Sequence, residues 1–203
     1  MISVIIPTMW KCKNFKTGKT LNELSQHEFI GEIILIDNAE KTEFNIEIPK
    51  LIHIKEGKNT YVNAAWNKGV RLAKYDKLLI LNDDVETEWG VIDLVYDFIT
   101  ENVGVIGAGV SCWQYNGGIP QIEKTSFRTN CYGCLMFIHK KSYIQIPEQL
   151  KIHYGDDWLF TKSGKPNYEI VNWKMGGESE QTSGLSEFNQ IKIDDANTYN
   201  SLK

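Results

Sequence analysis

Short, unbroken apolar runs recur through the first half of the chain. Ile2 to Ile6 is stopped by Pro7, Glu32-Ile33-Ile34-Leu35-Ile36 ends at Asp37-Asn38, Leu51 to Ile54 is brief, and Leu78 to Leu81 ends at Asn82-Asp83-Asp84. Runs of this length without polar alternation predict strands buried on both faces. Between them the apolar spacing changes to that of a helix. Leu21 and Leu24 mark a helix over Thr20 to Phe29, and Val62, Ala65, Trp66, Gly69, Val70 and Ala73 mark one over Thr60 to Ala73. Val91, Leu94, Val95, Phe98 and Ile99 mark a third over Glu88 to Ile99. Strand and helix in alternation predict an α/β fold with a mostly parallel central sheet flanked by helices.

The second half is more mixed. Val103 to Val110 predicts a Gly-interrupted strand, Ser111 to Asn130 a loop with turn signals at Asn116-Gly117-Gly118 and Ile119-Pro120, and Leu135 to Ile138 a strand. Lys140 to Ile146 predicts a short helix, His153 to Lys162 a helix whose first turn carries Asp156 and Asp157, and Tyr168 to Trp173 a last strand. From Met175 onward the residues are polar and without periodicity, which predicts a mobile lid or a loosely ordered tail. At 203 residues the expectation is one domain with three zones, 1–110, 111–175 and 176–203.

Composition narrows the partners. The chain is 42% hydrophobic and 24% charged with a net charge of -4, so it has no general basic footprint for nucleic acid. Lys11, Lys13, Lys16 and Lys19 form the one local basic cluster, read as a solvated loop. No segment approaches the ~20 apolar residues of a membrane span, and the first residues lack the basic leader of a signal peptide. The expectation is a cytoplasmic protein of a bacterium or a virus-infected cell. Cys131-Tyr132-Gly133-Cys134 has C-x-x-C spacing, but no second pair completes a zinc site. Placed at the start of an apolar strand, the thiols are expected on opposite faces, as small, partly buried side chains rather than a redox or metal pair.

The chemistry gathers where strands end. Adjacent anions such as Asp83 and Asp84 are costly unless a cation, hydroxyls or water take up the charge. A solvated Asp-Asp turn would do; so would a divalent metal carrying a phosphate-bearing ligand. Asp37, Asn38, Asp83 and Asp84 all follow strands, which in an open α/β sheet brings them to one rim.

These segments resemble the GT-A nucleotide-sugar glycosyltransferases, in particular the large family 2 of inverting enzymes. Val4-Ile5-Ile6-Pro7-Thr8 is similar to that family's opening strand and turn, and Ile33 to Asn38 to its second strand, with Asn38 where a second aspartate is usual. Asn59 to Gly69 fits N-x-G-x-x-x-A-x-N-x-G at Asn59, Ala65, Asn67 and Gly69, but carries Tyr61 where Gly is usual and Trp66 where Arg is common. Asn82-Asp83-Asp84 is similar to the D-x-D motif, and Gly155-Asp156-Asp157-Trp158 to the E-D motif that supplies the base.

The resemblance implies a single GT-A-type (Rossmann-like) domain. In it, 1–110 forms the nucleotide-binding half, 111–175 the acceptor and catalytic half, and 176–203 a tail or lid. It implies transfer of a sugar from a nucleoside diphosphate, UDP first, to an acceptor hydroxyl of a glycan or other molecule. Mn2+ or Mg2+ would sit on Asp84 and Asp83, hard oxygen ligands that suit either ion. Asp157 would be the general base, with Asp156 the alternative. Pro7, Thr8, Asp37, Asn38, Asn59, Asn63, Asn67, Asn82, Asp83 and Lys174 would bind the donor. Trp113, Tyr115, Tyr132 and Trp158 would face the acceptor, although core packing explains aromatics equally well. The metal-site His usual in many such enzymes has no counterpart in Val171 to Gly177. Two other readings stay open: a nucleotidyltransferase on a similar sheet, disfavoured because Thr8 to Lys19 holds only Gly18, and a degenerate, non-catalytic sugar-binding domain. The domain could also belong to a longer polyfunctional glycosylation protein.

Overall fold

The computed structural model describes residues 1–42, 44, 47–177 and 185–203. In chain order the strands are β1 (Ile2–Thr8), β2 (Ile30–Asp37), β3 (Leu51–Lys55), β4 (Lys77–Leu81), β5 (Val85–Thr87), β6 (Val105–Ala108), β7 (Gln121–Thr125), β8 (Leu135–His139), β9 (Asn167–Val171) and β10 (Met175–Gly177). The helices are α1 (Lys19–Gln26), α2 (Val62–Leu72), α3 (Val91–Val95), α4 (Val110–Trp113), α5 (Gly155–Lys162) and α6 (Asn189–Ser201).

Eight strands form one sheet in the order β3-β2-β1-β4-β8-β6-β9-β7. β1 pairs in parallel with β2 and β4, and β2 with β3. β8 then enters antiparallel between β4 and β6, β9 is parallel to β6, and β7 closes the edge antiparallel. This is the α/β architecture expected, with the mixed strands in the second half. β10 and β5 make a separate antiparallel ribbon.

Both faces of the central strands are covered, which is why their sequences do not alternate. Val4, Ile6, Ile33, Leu35, Leu79 and Leu81 pack on the side of α1 and α3. Ile5, Ile34, Ile36, Leu78 and Ile80 pack on the side of α2, α5 and α6. Gly69 lets α2 settle onto β1, because a Cβ there would run into the Ile5 side chain.

Four sequence expectations change. The helix over Glu88 to Ile99 is α3 followed by a 3-10 turn at Tyr96–Phe98; Lys77 Nζ donates to the Tyr96 carbonyl, which an α-helix would have used internally. The strand over Val103 to Val110 ends at Ala108, and the supposed loop after it holds α4 and the edge strand β7. Edge position leaves most of β7 in solvent, so it lacks an apolar signature. The helix over Lys140 to Ile146 is one 3-10 turn. Asn67 captures both backbone groups of Ile146 beyond it, donating from Nδ2 to the carbonyl (2.8 Å) and accepting the N–H at Oδ1 (3.0 Å).

The fourth change concerns the polar tail. Residues 178–184 of it lie outside those described, but α6 is a 13-residue helix docked on the body. Its buried face is carried by Asp195 and Tyr199, which sit with Phe188 just before the helix. A carboxylate in the place of an aliphatic residue hid the periodicity. Among the described residues no helix is long and apolar enough to cross a membrane.

Candidate active site

In the order β3-β2-β1-β4 the chain leaves β1 in opposite directions, making a crevice at the carboxyl ends of β1 and β4. Pro7 and Thr8 end β1, and Asn82-Asp83-Asp84 follow β4. Thr8 Oγ1 donates to Asp83 Oδ2 at 2.6 Å, tying the two strand ends together. β8 runs the other way, so its start lies at the same rim: Leu81 pairs with Leu135, and Asn82 N donates to the Cys134 carbonyl at 2.9 Å. A cleft of about 530 Å³ opens here, within the range of roughly 300–1,000 Å³ common for ligand sites.

One wall is the strand-end group. Asn82, Asp83 and Asp84 all line the cleft, and the Asn82 Oδ1 oxygen is buried without a hydrogen-bond partner. β10 pairs with β5 so that Gly177 lies directly against the Asp84 carbonyl. The donor set is all oxygen, which fits Mg2+ or Mn2+. Among the described residues no three His, Cys, Asp or Glu side chains converge to cage a metal.

A second wall is the first turn of α5. Arg128 lies between its two carboxylates, with Nε donating to Asp157 Oδ1 at 2.7 Å and a terminal NH2 donating to Asp156 Oδ2 at 3.0 Å. Burial pushes the Asp156 carboxyl up, and Arg128 pulls it back. Arg128 is not among the expected site residues. Its signal was rarity: of 22 Lys and Arg residues only Arg71 and Arg128 are arginine, and a planar fork bridging two carboxylates is a task lysine cannot do.

The backbone entering α5 is clamped from both sides. Asn63 Nδ2 donates to the carbonyls of Leu150 and His153, both at 3.1 Å. Asp195 on α6, fully buried, accepts the N–H groups of Lys151 (2.9 Å), Ile152 and His153 (both 2.8 Å). α6 also brings Lys192 to the cleft, with Phe188 just before the helix beside it. His153 lines the cleft as well; burial lowers its imidazole, opposed by Asp195. His153, Phe188 and Lys192 were not among the expected site residues; the last two lay in the polar tail.

The third wall follows β2. Asn38 is buried at the cleft, where its Oδ1 accepts from Thr60 Oγ1 (2.7 Å) and Thr60 N (3.3 Å). That leaves Nδ2 as the end available to a ligand. Asn59 lines the cleft and its Oδ1 accepts from Tyr61 N at 2.9 Å. Tyr61, in the position where the resembled family carries Gly, adopts φ 66 and ψ 166. Glycine alone occupies this region readily, so the tyrosine costs about 1–3 kcal/mol there. Tyr61→Gly is therefore expected to hold or raise the melting temperature, against the usual sign for a large-to-small change; a drop of several degrees would show that the backbone is not strained.

Several expected site residues stand elsewhere. Asp37 is buried behind the rim, accepting from Ala39 N (3.0 Å) and facing His53 Nε2 (2.9 Å). Asn63 and Asn67 are consumed in holding backbone. Lys174 is exposed beyond the far end of the β5–β10 ribbon, where its carbonyl accepts from Thr87 Oγ1. None of the four expected acceptor aromatics lines the cleft. Tyr132 is fully buried and donates to the Val105 and Tyr168 carbonyls. Trp113 packs on the core, Tyr115 is exposed outside the cleft, and Trp158 donates to the Gln145 carbonyl. The aromatic rings at the cleft are Tyr61, Trp66, Tyr154 and Phe188.

Cys131 and Cys134 line the cleft too, on a 3-10 turn rather than a strand. A hydrogen bond with Cys134, against burial, lowers the Cys131 thiol to about 6, and the same contact with burial raises Cys134.

Neither a family model nor a curated protein matches this chain. Solved structures do. The structure of S. aureus TarS 1-349 superposes with a TM-score of 0.59 at 15% identity, covering 98% of this chain and 72% of that one. The same S. aureus protein in complex with UDP gives 0.62 at 17% identity, covering 86% of this chain and 59% of that one. HddC from Yersinia pseudotuberculosis gives 0.61 at 14% identity, covering 98% of this chain and all 100% of that one. With the sheet order and the cleft at its switch point, these likenesses establish the fold as the GT-A-type α/β fold.

Proposed function

We propose that this chain is a nucleotide-sugar glycosyltransferase that moves a sugar from a nucleoside diphosphate, UDP first among candidates, to an acceptor hydroxyl with inversion. The observation that carries the reading is that Asp83 and Asp84, at the β1–β4 switch point, line one cleft together with Asp156 and Asp157. The UDP complex of S. aureus TarS, which shares the fold, supports the choice of nucleotide.

In this reading the nucleoside lies over Pro7 and Thr8, and the Asn38 amide donates to a base acceptor such as a uracil carbonyl. Tyr61 supplies an aromatic face beside it. Asp84 and Asp83, with the unpartnered Asn82 oxygen, would hold a divalent metal, whose chemistry is to stabilise charge on the leaving diphosphate. Lys192, the exposed cation at the cleft, neutralises phosphate in the role expected of Lys174. Asp157 accepts the acceptor's hydroxyl proton as its oxygen attacks the anomeric carbon and the bond to phosphate breaks on the opposite face. Only one oxygen of Asp157 is taken by Arg128, which leaves the other for the proton.

UDP with Mn2+ or Mg2+ is expected to raise the melting temperature by several degrees, a metal-dependent shift from ligand linkage. A UDP-sugar panel should show slow donor hydrolysis. No shift with any nucleoside diphosphate and either metal would sink the reading. Pyrophosphate release from a nucleoside triphosphate would assign nucleotidyl transfer instead.

A further inference from the structure

The C-x-x-C pair is left unused by the transfer chemistry, yet it sits between the two acidic walls. Cys131, in the left-handed region at φ 60, precedes the 3-10 turn Tyr132–Cys134, and Cys134 N donates to the Cys131 carbonyl at 3.1 Å. This fold of the chain brings both residues to the cleft, one 3-10 turn apart, a spacing at which side chains i and i+3 lie over one another. The turn is wedged in place. The Cys134 carbonyl holds Asn82 N, the fully buried Tyr132 anchors the middle, and Gly133 lies so close to Asp156 that a Cβ would meet its carboxyl group. Among the described residues no third ligand completes a metal set here.

We propose that Cys131 and Cys134 form a thiol–disulfide switch in the wall of the donor cleft, oxidised by a small disulfide of the glutathione class. Cys131 is exposed and Cys134 half-buried, so Cys131 reacts first. Its thiolate attacks one sulfur of the oxidant, releasing one thiolate and leaving a mixed disulfide. The Cys134 thiolate then attacks the Cys131 sulfur and releases the second. Two protein thiols are oxidised to one disulfide, one small disulfide is reduced to two thiols, and the protein's two thiol protons pass to the released thiolates. Closing the bond fixes the two sulfurs about 2.05 Å apart. A turn held on one side to Asn82 and on the other against Asp156 transmits that movement to both acidic walls. The effect on the nucleotide rests on the function proposed above; disulfide formation does not.

The test treats the full chain with glutathione disulfide and maps the product by peptide mass spectrometry. An intrachain Cys131–Cys134 bond is expected, with the buried Cys12 and Cys112 untouched. Cys134→Ser should stop at a mixed disulfide on Cys131. UDP affinity with Mn2+, read by titration, should weaken at least about fivefold on oxidation and recover with dithiothreitol. Absence of the Cys131–Cys134 bond overturns the proposal, as does a bond that leaves UDP affinity unchanged. If the reduced protein binds no nucleotide with either metal, the assigned function fails and the switch at a donor site fails with it; the mass map then still separates a reactive dithiol from an inert pair.

Discussion

Asp157→Asn is expected to lower kcat by about 10²- to 10⁴-fold, the usual contribution of a general base, while UDP affinity with Mn2+ changes little. Asparagine keeps the size of aspartate and still offers an oxygen to Arg128 Nε, so the bridge at 2.7 Å survives in geometry. It cannot take a proton at neutral pH. A loss confined to kcat therefore separates proton acceptance from donor binding. Asp156→Asn is the comparison. Asp156 is the more deeply set partner, its carboxyl pushed up by burial and drawn back by Arg128; asparagine keeps its contact with Arg128 as well, so its replacement should lower kcat far less than Asp157→Asn. If Asp156→Asn gives the larger fall in kcat at unchanged KM, the two roles are exchanged. If neither variant alters turnover, the base is not in α5.

How far the chain could be read beforehand follows from what each residue does with its surroundings. The parallel half of the sheet was legible because strands covered on both faces must be apolar throughout, as Leu78 to Leu81 are. The rim groups were legible because they follow those strands directly; Pro7, Thr8, Asn38, Asp83 and Asp84 all reach the cleft. Asparagines were not separable by type. Asn38 faces the cleft, whereas Asn63 and Asn67, on the same patterned helix, spend their amides on the backbone of residues 146 to 153. A side-chain amide serving backbone and one serving a ligand look alike in one sequence. The aromatics expected at the acceptor stand outside the cleft for a related reason. Tyr132 fills the core and Tyr61 reaches the cleft, and what distinguishes them is backbone conformation rather than composition. The tail escaped because Asp195 is buried by accepting three N–H groups, a satisfied carboxylate in a position where periodicity looks for an aliphatic side chain.

The second large effect is expected at Asp84. Asp84→Asn should abolish the metal dependence of UDP binding and lower kcat by about 10²- to 10³-fold, the scale of losing one preorganised group that stabilises developing charge. The physical reason lies in the ligand count. Asp83 already accepts from Thr8 at Oδ2, and Asn82 offers a neutral oxygen, so Asp84 brings the remaining negative charge that a hard dication requires. Neutralising it leaves a weak oxygen donor in the same shape, and the ribbon contact of Gly177 with the Asp84 backbone is untouched. Folding should therefore survive, which the melting temperature without ligand checks. The informative measurement is the melting shift with UDP, compared across Mn2+, Mg2+ and excess chelator. Wild type should lose its shift in chelator, and Asp84→Asn should show the chelated value under every condition. A variant that keeps the full Mn2+-dependent shift would move the metal off Asp84 and onto Asp83 and Asn82, and a wild type whose shift ignores chelator would leave the acidic pair to bind ribose or water instead.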